Sequence, residues 1–252
     1  MVKAKKHLGQ HFLTDKNIAR KIVNSLNPNT KALLEVGPGT GILTKIILEK
    51  NITPFFAIEL DSESVEYLKT GILKEEQIIQ ADFLKYDLNV LFGNKPFSIT
   101  GNFPYNISGR ILFKVLEYRE QLEEVVGMFQ KEVVQRITAK SGTKQYGILS
   151  VLLQTYFEAE HLFNVSPGVF LPPPKVQSAV LRLRRKDHLP DIPFQQLKTL
   201  VKAAFNQRRK TLRNALKPFR FHPSERLVSL MNMRAEQLSC EDFIFLAGQI
   251  LS

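Results

Sequence analysis

Along the first half of the chain, short apolar runs alternate with stretches in which apolar residues recur every three or four positions. This alternation predicts strands joined by helices in a wound, mostly parallel sheet. Residues 17–26 read as a helix with Ile18, Ile22, Val23 and Leu26 on one face. Residues 32–36 (Ala-Leu-Leu-Glu-Val) read as a buried strand that stops at glycines, with a helix over 41–50 after it. A second strand over 55–59 ends in Glu59, and a helix over 62–70 comes next. A third short strand over 78–82 ends in Asp82, and a fourth over 97–100 runs into Asn102-Phe103-Pro104-Tyr105. A fifth over 123–130 precedes a helix from Lys131, and residues 176–183 alternate as a late strand. The polar, proline-punctuated stretch from Asp187 to Pro193 reads as a linker. Beyond it, 194–216, 224–231 and 235–250 read as helices. The expected organisation is therefore an α/β domain over 1–187 and a small all-helical domain over 188–252, with no internal repeat.

The bulk numbers sharpen this. The chain has 252 residues, of which 44% are hydrophobic, enough for a proper core. No apolar run approaches the length of a membrane span. The basic start, Lys3-Ala4-Lys5-Lys6-His7, leads into no apolar segment of the secretory type, so a cytoplasmic location is expected. Cys240 is the single cysteine, which excludes a disulfide framework or a multi-cysteine metal site within one chain. The formal net charge is +11, a field that attracts polyanions. The charge is clustered: one group is Lys3, Lys5 and Lys6 with His7 and His11, and another runs from Arg182 to Arg220. Glu117 to Glu124 is locally acidic. The asymmetry points to a binding surface for nucleic acid.

In an open parallel sheet, ligands bind beyond the carboxyl ends of the strands. Gly37, Glu59, Asp82 and Asn102 are all expected at such ends, so four strands aim at one crevice. The turn Gly37-Pro38-Gly39-Thr40-Gly41 lets backbone approach a ligand. Its third glycine comes one residue early for the dinucleotide fingerprint, which disfavours a nicotinamide dehydrogenase. The tight turn fits a cofactor with an amino-acid part and a nucleoside but no pyrophosphate. Glu59 can accept from ribose hydroxyls and Asp82 from an adenine amine. Asn102-Phe103-Pro104-Tyr105 suits an exocyclic amine on a flat ring. The amide oxygen of Asn102 and the carbonyl of Pro104 can accept its N–H bonds, and Tyr105 can stack on the base.

These motifs resemble those of the KsgA-type ribosomal RNA adenine dimethyltransferases. The resemblance spans nearly the whole chain. It rests on Leu8-Gly9-Gln10-His11-Phe12-Leu13, Glu35-Val36-Gly37-Pro38-Gly39-Thr40-Gly41, Ile58-Glu59-Leu60-Asp61 and Asn102-Phe103-Pro104-Tyr105-Asn106-Ile107-Ser108. It continues through the Gln130 to Arg136 segment, Phe170-Leu171-Pro172-Pro173-Pro174-Lys175-Val176 and the segment from Phe205 to Asn214. The resemblance implies a Rossmann-like class I S-adenosylmethionine-dependent methyltransferase sheet with the helical domain appended. It implies S-adenosylmethionine as cofactor, with His11, Leu13, Gly37, Glu59, Asp82 and Asn102 around it. Asn102, Pro104, Tyr105 and Phe170 would form the catalytic pocket, with Phe170 as its second aromatic wall. The family often has Asn at the position of His11 and Leu at that of Phe103; His11 can still hydrogen-bond, whereas Phe103 changes the bulk beside the target base.

The resemblance further implies transfer of two methyl groups to N6 of each of two adjacent adenosines. These lie in the loop of the 3′-terminal hairpin of 16S ribosomal RNA. The expected partner is that RNA in an assembling small subunit, bound by a monomer without membrane or metal. Arg208, Arg209, Lys210 and Arg213 lie in a segment that resembles the small-subunit enzymes, and read by themselves they form a basic helix for phosphates. Two alternatives stand beside this reading: an antibiotic-resistance methyltransferase acting on large-subunit RNA, and a non-catalytic assembly or transcription factor on the same fold.

Overall fold

The strand Leu33–Val36 (β1) is buried at all four positions, as a central strand covered on both faces must be. The computed structural model, which describes residues 2–251, builds a seven-stranded sheet around it. The other strands are β2 (Phe55–Glu59), β3 (Ile78–Gln80), β4 (Phe97–Asn102), β5 (Leu122–Gln130), β6 (Phe157–Val165) and β7 (Ser178–Arg185). Their order is β3-β2-β1-β4-β5-β7-β6. Strands β1 to β5 run parallel, and β7 is antiparallel to β5. The order reverses between β1 and β4, which makes their carboxyl ends the topological switch point.

Two compact units result. The first takes residues up to Val134 together with Glu160–Arg185, and the second takes Gln135–Ala159 and the residues from Lys186 onward. In the first unit, helices α1 (Lys16–Asn24), α2 (Ile42–Leu48), α3 (Ser62–Lys69), α4 (Asn89–Phe92) and α5 (Ser108–Glu117) connect the strands. Asp15 caps α1 by accepting from the Asn17 and Ile18 amides at 2.7 and 3.1 Å. Ala19, Ile22 and Val23 of α1 and Leu43, Ile46 and Ile47 of α2 bury against Phe55, Ala57, Val126, Met128 and Val180 of the sheet. Each large apolar side chain so buried contributes roughly 1.5–3 kcal/mol. A two-residue antiparallel pair joins Phe12–Leu13 to Phe170–Leu171.

Helix α6 (Lys131–Ile137) leads into the second unit, which comprises α7 (Ile148–Tyr156), α8 (Phe194–Asn206), α9 (Leu212–Ala215), α10 (Glu225–Met231) and α11 (Cys240–Gly248). The expected boundary at 187/188 sets residues 135–159 apart from these helices. In the structure they belong to the same unit, because Val151, Leu152, Leu153 and Tyr156 make α7 apolar nearly all round and it packs on α8 and α11.

The expected helix over 194–216 is interrupted. The Leu212 amide donates to the Met233 carbonyl at 2.8 Å and Thr211 bridges Arg234, pairings an uninterrupted helix could not make. Arg208, Arg209 and Lys210 therefore sit in a turn rather than on a helix. The expected helix over 235–250 also divides. Ser239 and Asp242 form a reciprocal capping box that starts α11 afresh after a 3-10 turn at Ala235–Gln237. No helix among the described residues is long and apolar enough to cross a membrane.

The start of the expected basic cluster, on β7, faces acidic residues within the first unit. Glu124 lies opposite Arg184 in the β5–β7 pairing and forms an ion pair with Arg182 at 3.4 Å. Arg182 also meets Glu160 at 3.2 Å, and Arg185 donates to the Glu120 carbonyl. The acidic stretch from Glu117 to Glu124 and the basic strand β7 are thus partners.

Candidate active site

A cleft opens beyond the carboxyl ends of the parallel strands, lined among others by His11, Gly37, Glu59, Asp82, Asn102 and Tyr105. Gly37 follows β1, Glu59 ends β2, Asp82 lies two residues past β3, and Asn102 ends β4. The convergence expected from strand ends is therefore present. In the glycine turn, Gly39 has φ +55°, and a Cβ there would meet the Phe12 ring at 2.8 Å. The N-terminal segment and the turn can lie this close only because that position carries no side chain.

Glu59 is 6% exposed and accepts three backbone N–H groups. Its Oε1 takes Leu60 and Asp61 at 2.8 and 2.9 Å, and its Oε2 takes Gly39 at 3.1 Å. Burial raises its pKa above the ordinary carboxyl range against the pull of these donors. A carboxylate has about four acceptor sites, so one position on Oε2 stays open to a ligand hydroxyl. Asp82 accepts from the Leu84 amide at 3.0 Å through Oδ1.

Residues 7–12 form the other wall of the cleft. They are fastened by Asp61, whose carboxylate receives Lys5 Nζ, Gln10 Nε2 at 3.3 Å and Ser64 Oγ at 3.0 Å. Burial alone would raise the Asp61 pKa, but these donors outweigh it and hold the carboxyl below its usual range. Sequence reasoning misses this fastening, although the acid stands beside Glu59 within the quoted Ile58-Glu59-Leu60-Asp61 motif. Phe83 and Arg110 also line the cleft, and no motif announces them.

The Asn102 amide donates from Nδ2 to the His11 carbonyl at 2.7 Å. A carbonyl can only accept, so Nδ2 must face it and Oδ1 must face away. Oδ1 has no partner among the described residues and remains an acceptor. Pro104 lines the cleft, but its carbonyl is turned toward the chain. It accepts the Ile107 amide at 3.3 Å and Ser108 Oγ at 3.4 Å. Among the described residues no donor reaches the Phe103 carbonyl. The free main-chain acceptor of the motif is thus Phe103, in place of the expected Pro104. The Phe103 ring packs on Phe129 with centroids 4.6 Å apart.

Tyr105 is held by a hydrogen bond between its hydroxyl and Ser178 Oγ, and burial raises its pKa. The His11 ring stacks on it at 5.6 Å, with His11 Nδ1 donating to the Pro172 carbonyl at 2.8 Å.

Two expected site residues are not brought into the cleft. Phe170 is 4% exposed and Leu13 is 2% exposed; both belong to the hydrophobic core and pair with each other across the short two-stranded ladder. The Phe170 ring and the Leu13 side chain thus pack in the core, since residues directly opposite in an antiparallel pair share one face. Arg208, Arg209, Lys210 and Arg213 all fall in the second unit, where the Arg213 guanidinium donates to Asn232 Oδ1 at 3.3 Å.

This sheet, with its cleft at the switch point, is the fold of the Rossmann-like methyltransferases. Similar solved structures are a dimethyladenosine transferase from Plasmodium falciparum (TM-score 0.79, 24% identity, 96% of this chain and 100% of that one) and the 23S rRNA methyltransferase ErmE (TM-score 0.71, 24% identity, 94% and 100%). The sequence pattern of the ribosomal RNA adenine dimethylases matches residues 1–250, and the chain belongs to that family. It is 51% identical over 253 residues to the ribosomal RNA small subunit methyltransferase A of Flavobacterium johnsoniae, covering 99% of this chain and 96% of the relative. It is also 51% identical over 254 residues to the protein of the same name from Cytophaga hutchinsonii, covering 99% and 98%.

Proposed function

We propose that this protein is a ribosomal RNA adenine N6-dimethyltransferase that uses S-adenosylmethionine and acts on the small subunit. The observation that carries the reading is the Asn102 amide, oriented by the His11 carbonyl so that Oδ1 is a free acceptor at the tip of β4. The small-subunit substrate is supported by the names of the relatives at 51% identity.

The residues of the cleft fit the cofactor. Gly37 and Gly39 present bare backbone, Glu59 keeps one acceptor position that can take a ribose hydroxyl, and Asp82 lines the same cleft and can accept from an adenine amine. When bound, S-adenosylmethionine supplies a methyl group on a sulfonium, already activated for transfer. The chain's own part is to prepare the acceptor nitrogen. The lone pair of an adenine amine is delocalised into the ring, which makes the amine a poor nucleophile. Asn102 Oδ1 and the Phe103 carbonyl can each accept one of its N–H bonds, which draws the nitrogen toward tetrahedral geometry and localises the pair. Tyr105, fixed through Ser178, offers a face for the base, which must be splayed from its loop at an unstacking cost. Once methylated, the cationic nitrogen loses a proton to water, so no strong base is needed. Catalysis is positioning plus electrostatics.

The target is two adjacent adenosines in the loop of the 3′-terminal hairpin of 16S ribosomal RNA, each methylated twice. The second unit, with its exposed cations, serves as the RNA-binding part. The deciding experiment is incubation with labelled cofactor and unmethylated small subunits, followed by mapping of the modified nucleotides. Label in those two adenosines supports the reading. Label in large-subunit RNA, or none, overturns it.

A further inference from the structure

The four cations of the second unit's turn are not equivalent. Arg208 points inward along the surface: one guanidinium nitrogen donates to the Lys144 carbonyl at 2.8 Å and lies 3.4 Å from the Thr143 carbonyl. Its Nε faces Glu236 Oε2 at 3.7 Å. Glu236 also binds the same loop from the other side, its carbonyl accepting the Gly142 amide at 2.6 Å. The loop is closed on itself as well, because the Lys140 carbonyl accepts Thr143 Oγ1 at 2.7 Å. Arg208 and Glu236 together hold the connection between α6 and α7 against the turn after α8.

This changes what that turn offers a polyanion. The Arg208 charge is already compensated by Glu236, and its donors are committed to carbonyls. Arg209 and Lys210, next in sequence, are exposed, and so are Lys140 and Lys144 on the clamped loop. None of these four side chains has a partner among the described residues. The clamp therefore sets two pairs of free cations on neighbouring segments of one unit.

We infer that the loop carrying Lys140 and Lys144 is part of the RNA-binding surface, together with Arg209 and Lys210, and that Arg208 is a positioning residue that fixes this loop rather than a phosphate ligand. The partner class is phosphate-rich single-stranded or hairpin RNA. The inference rests on the RNA reading given above and extends it to a segment far from the basic cluster in sequence. Each phosphate contact releases counterions and adds about 0.7–0.9 to the slope of log affinity against log salt.

The test measures that slope for the full-length protein with a fluorescein-labelled hairpin RNA, across a small set of variants. K140Q/K144Q and R209Q/K210Q should each flatten the slope by about 1.4–1.8. R208Q should weaken binding in the wild-type background yet cost little more when Lys140 and Lys144 are already neutral, a non-additivity expected of a residue acting through the loop. In the free protein, R208Q should also speed tryptic cleavage after Lys140 and Lys144. A wild-type slope in K140Q/K144Q overturns the loop's part. Full additivity of R208Q with K140Q/K144Q, with no change in cleavage, makes Arg208 an ordinary phosphate contact and overturns its positioning role. If the wild-type protein fails to bind RNA at all, the proposed function itself fails, which these comparisons distinguish.

Discussion

Asn102 is oriented by His11: the amide Nδ2 of one donates to the main-chain carbonyl of the other at 2.7 Å. The two residues are 91 positions apart, and the bond joins the segment over the cleft to the tip of β4. The same segment is fastened at Lys5 and Gln10 to Asp61, whose amide donates to Glu59 Oε1 at 2.9 Å. Hydrogen bonds thus link the acid at the end of β2, through Asp61 and residues 5–11, to the Asn102 amide at the tip of β4. On the proposed mechanism, order in the N-terminal segment is a condition for the productive amide rotamer, because a free amide could turn its NH2 group outward and present a donor where an acceptor is needed.

Glu59 sits where this linkage begins. Replacing it with alanine removes the acceptor proposed for the cofactor ribose and leaves three backbone N–H groups without their partner. Glu59→Ala should weaken S-adenosylmethionine binding by about 2–4 kcal/mol, the loss of one or two charge-assisted hydrogen bonds. Calorimetric titration measures it directly. A wild-type dissociation constant would remove Glu59 from the cofactor site.

The buried Glu35 on β1 makes stability depend on pH. It is 1% exposed, receives Thr44 Oγ1 at 2.7 Å, and burial pushes its pKa up to about 8. Below about pH 4.5 both folded and unfolded chains hold the proton, and Glu35 adds no pH dependence. Above that the unfolded chain releases it while the native state keeps it. Stability then falls as pH rises toward about 8, by at most about 1.4 kcal/mol per unit. Glu35→Gln, whose amide oxygen can still accept from Thr44, should flatten this decline in urea titrations across about pH 5–8. Parallel pH curves for the two proteins would mean that Glu35 titrates normally.

The strand β5 approaches the motif so closely that one methyl group would collide with it. A Cβ at Gly127 would overlap the Phe103 ring, which stacks on Phe129. Gly127→Ala should destabilise the fold by about 1–3 kcal/mol, the usual cost of overpacking. It should also lower methyl transfer more than cofactor binding, since the displaced ring belongs to the residue whose carbonyl is proposed to accept from the target amine. Retention of both stability and rate would show that Phe103 can move without consequence.

Much of this is legible in the sequence because it depends on local periodicity and on strand ends. The strand over 55–59 matches β2 to the residue, and the convergence of Gly37, Glu59, Asp82 and Asn102 is a consequence of the rule for parallel sheets. The features that escape depend on contacts between distant residues. Nothing local says that Leu212 will pair with Met233 and break a helix, or that Glu124 will face Arg184 and pair with Arg182 across the sheet. The burial of Phe170 and Leu13 follows from the short ladder between them, which nothing local announces. The choice between the Pro104 and Phe103 carbonyls is equally beyond reach, since it is set by the 3-10 turn at Tyr105–Ile107.

The sharpest test concerns Asn102 itself. Its Oδ1 is the one side-chain acceptor of the motif left free, and its Nδ2 is spent on His11. Asn102→Ala removes the acceptor at the tip of a strand whose other residues are unaffected, so fold and RNA binding should persist. Methyl transfer should drop by roughly two to three powers of ten, the scale of losing one preorganised hydrogen-bonding group. Some loss of cofactor affinity should accompany it, because the residue shares the cleft with the cofactor and steadies the segment carrying His11. The rate must therefore be taken in single turnover at saturating cofactor, where affinity no longer enters. Asn102→Asp separates the two duties of the residue: an ionised carboxylate keeps an acceptor for the amine but can donate nothing to the His11 carbonyl. Its rate should lie near that of the alanine variant if amide orientation through His11 matters, and near wild type if any acceptor suffices. A wild-type rate in Asn102→Ala would mean that the motif is a turn and that the amine is activated elsewhere.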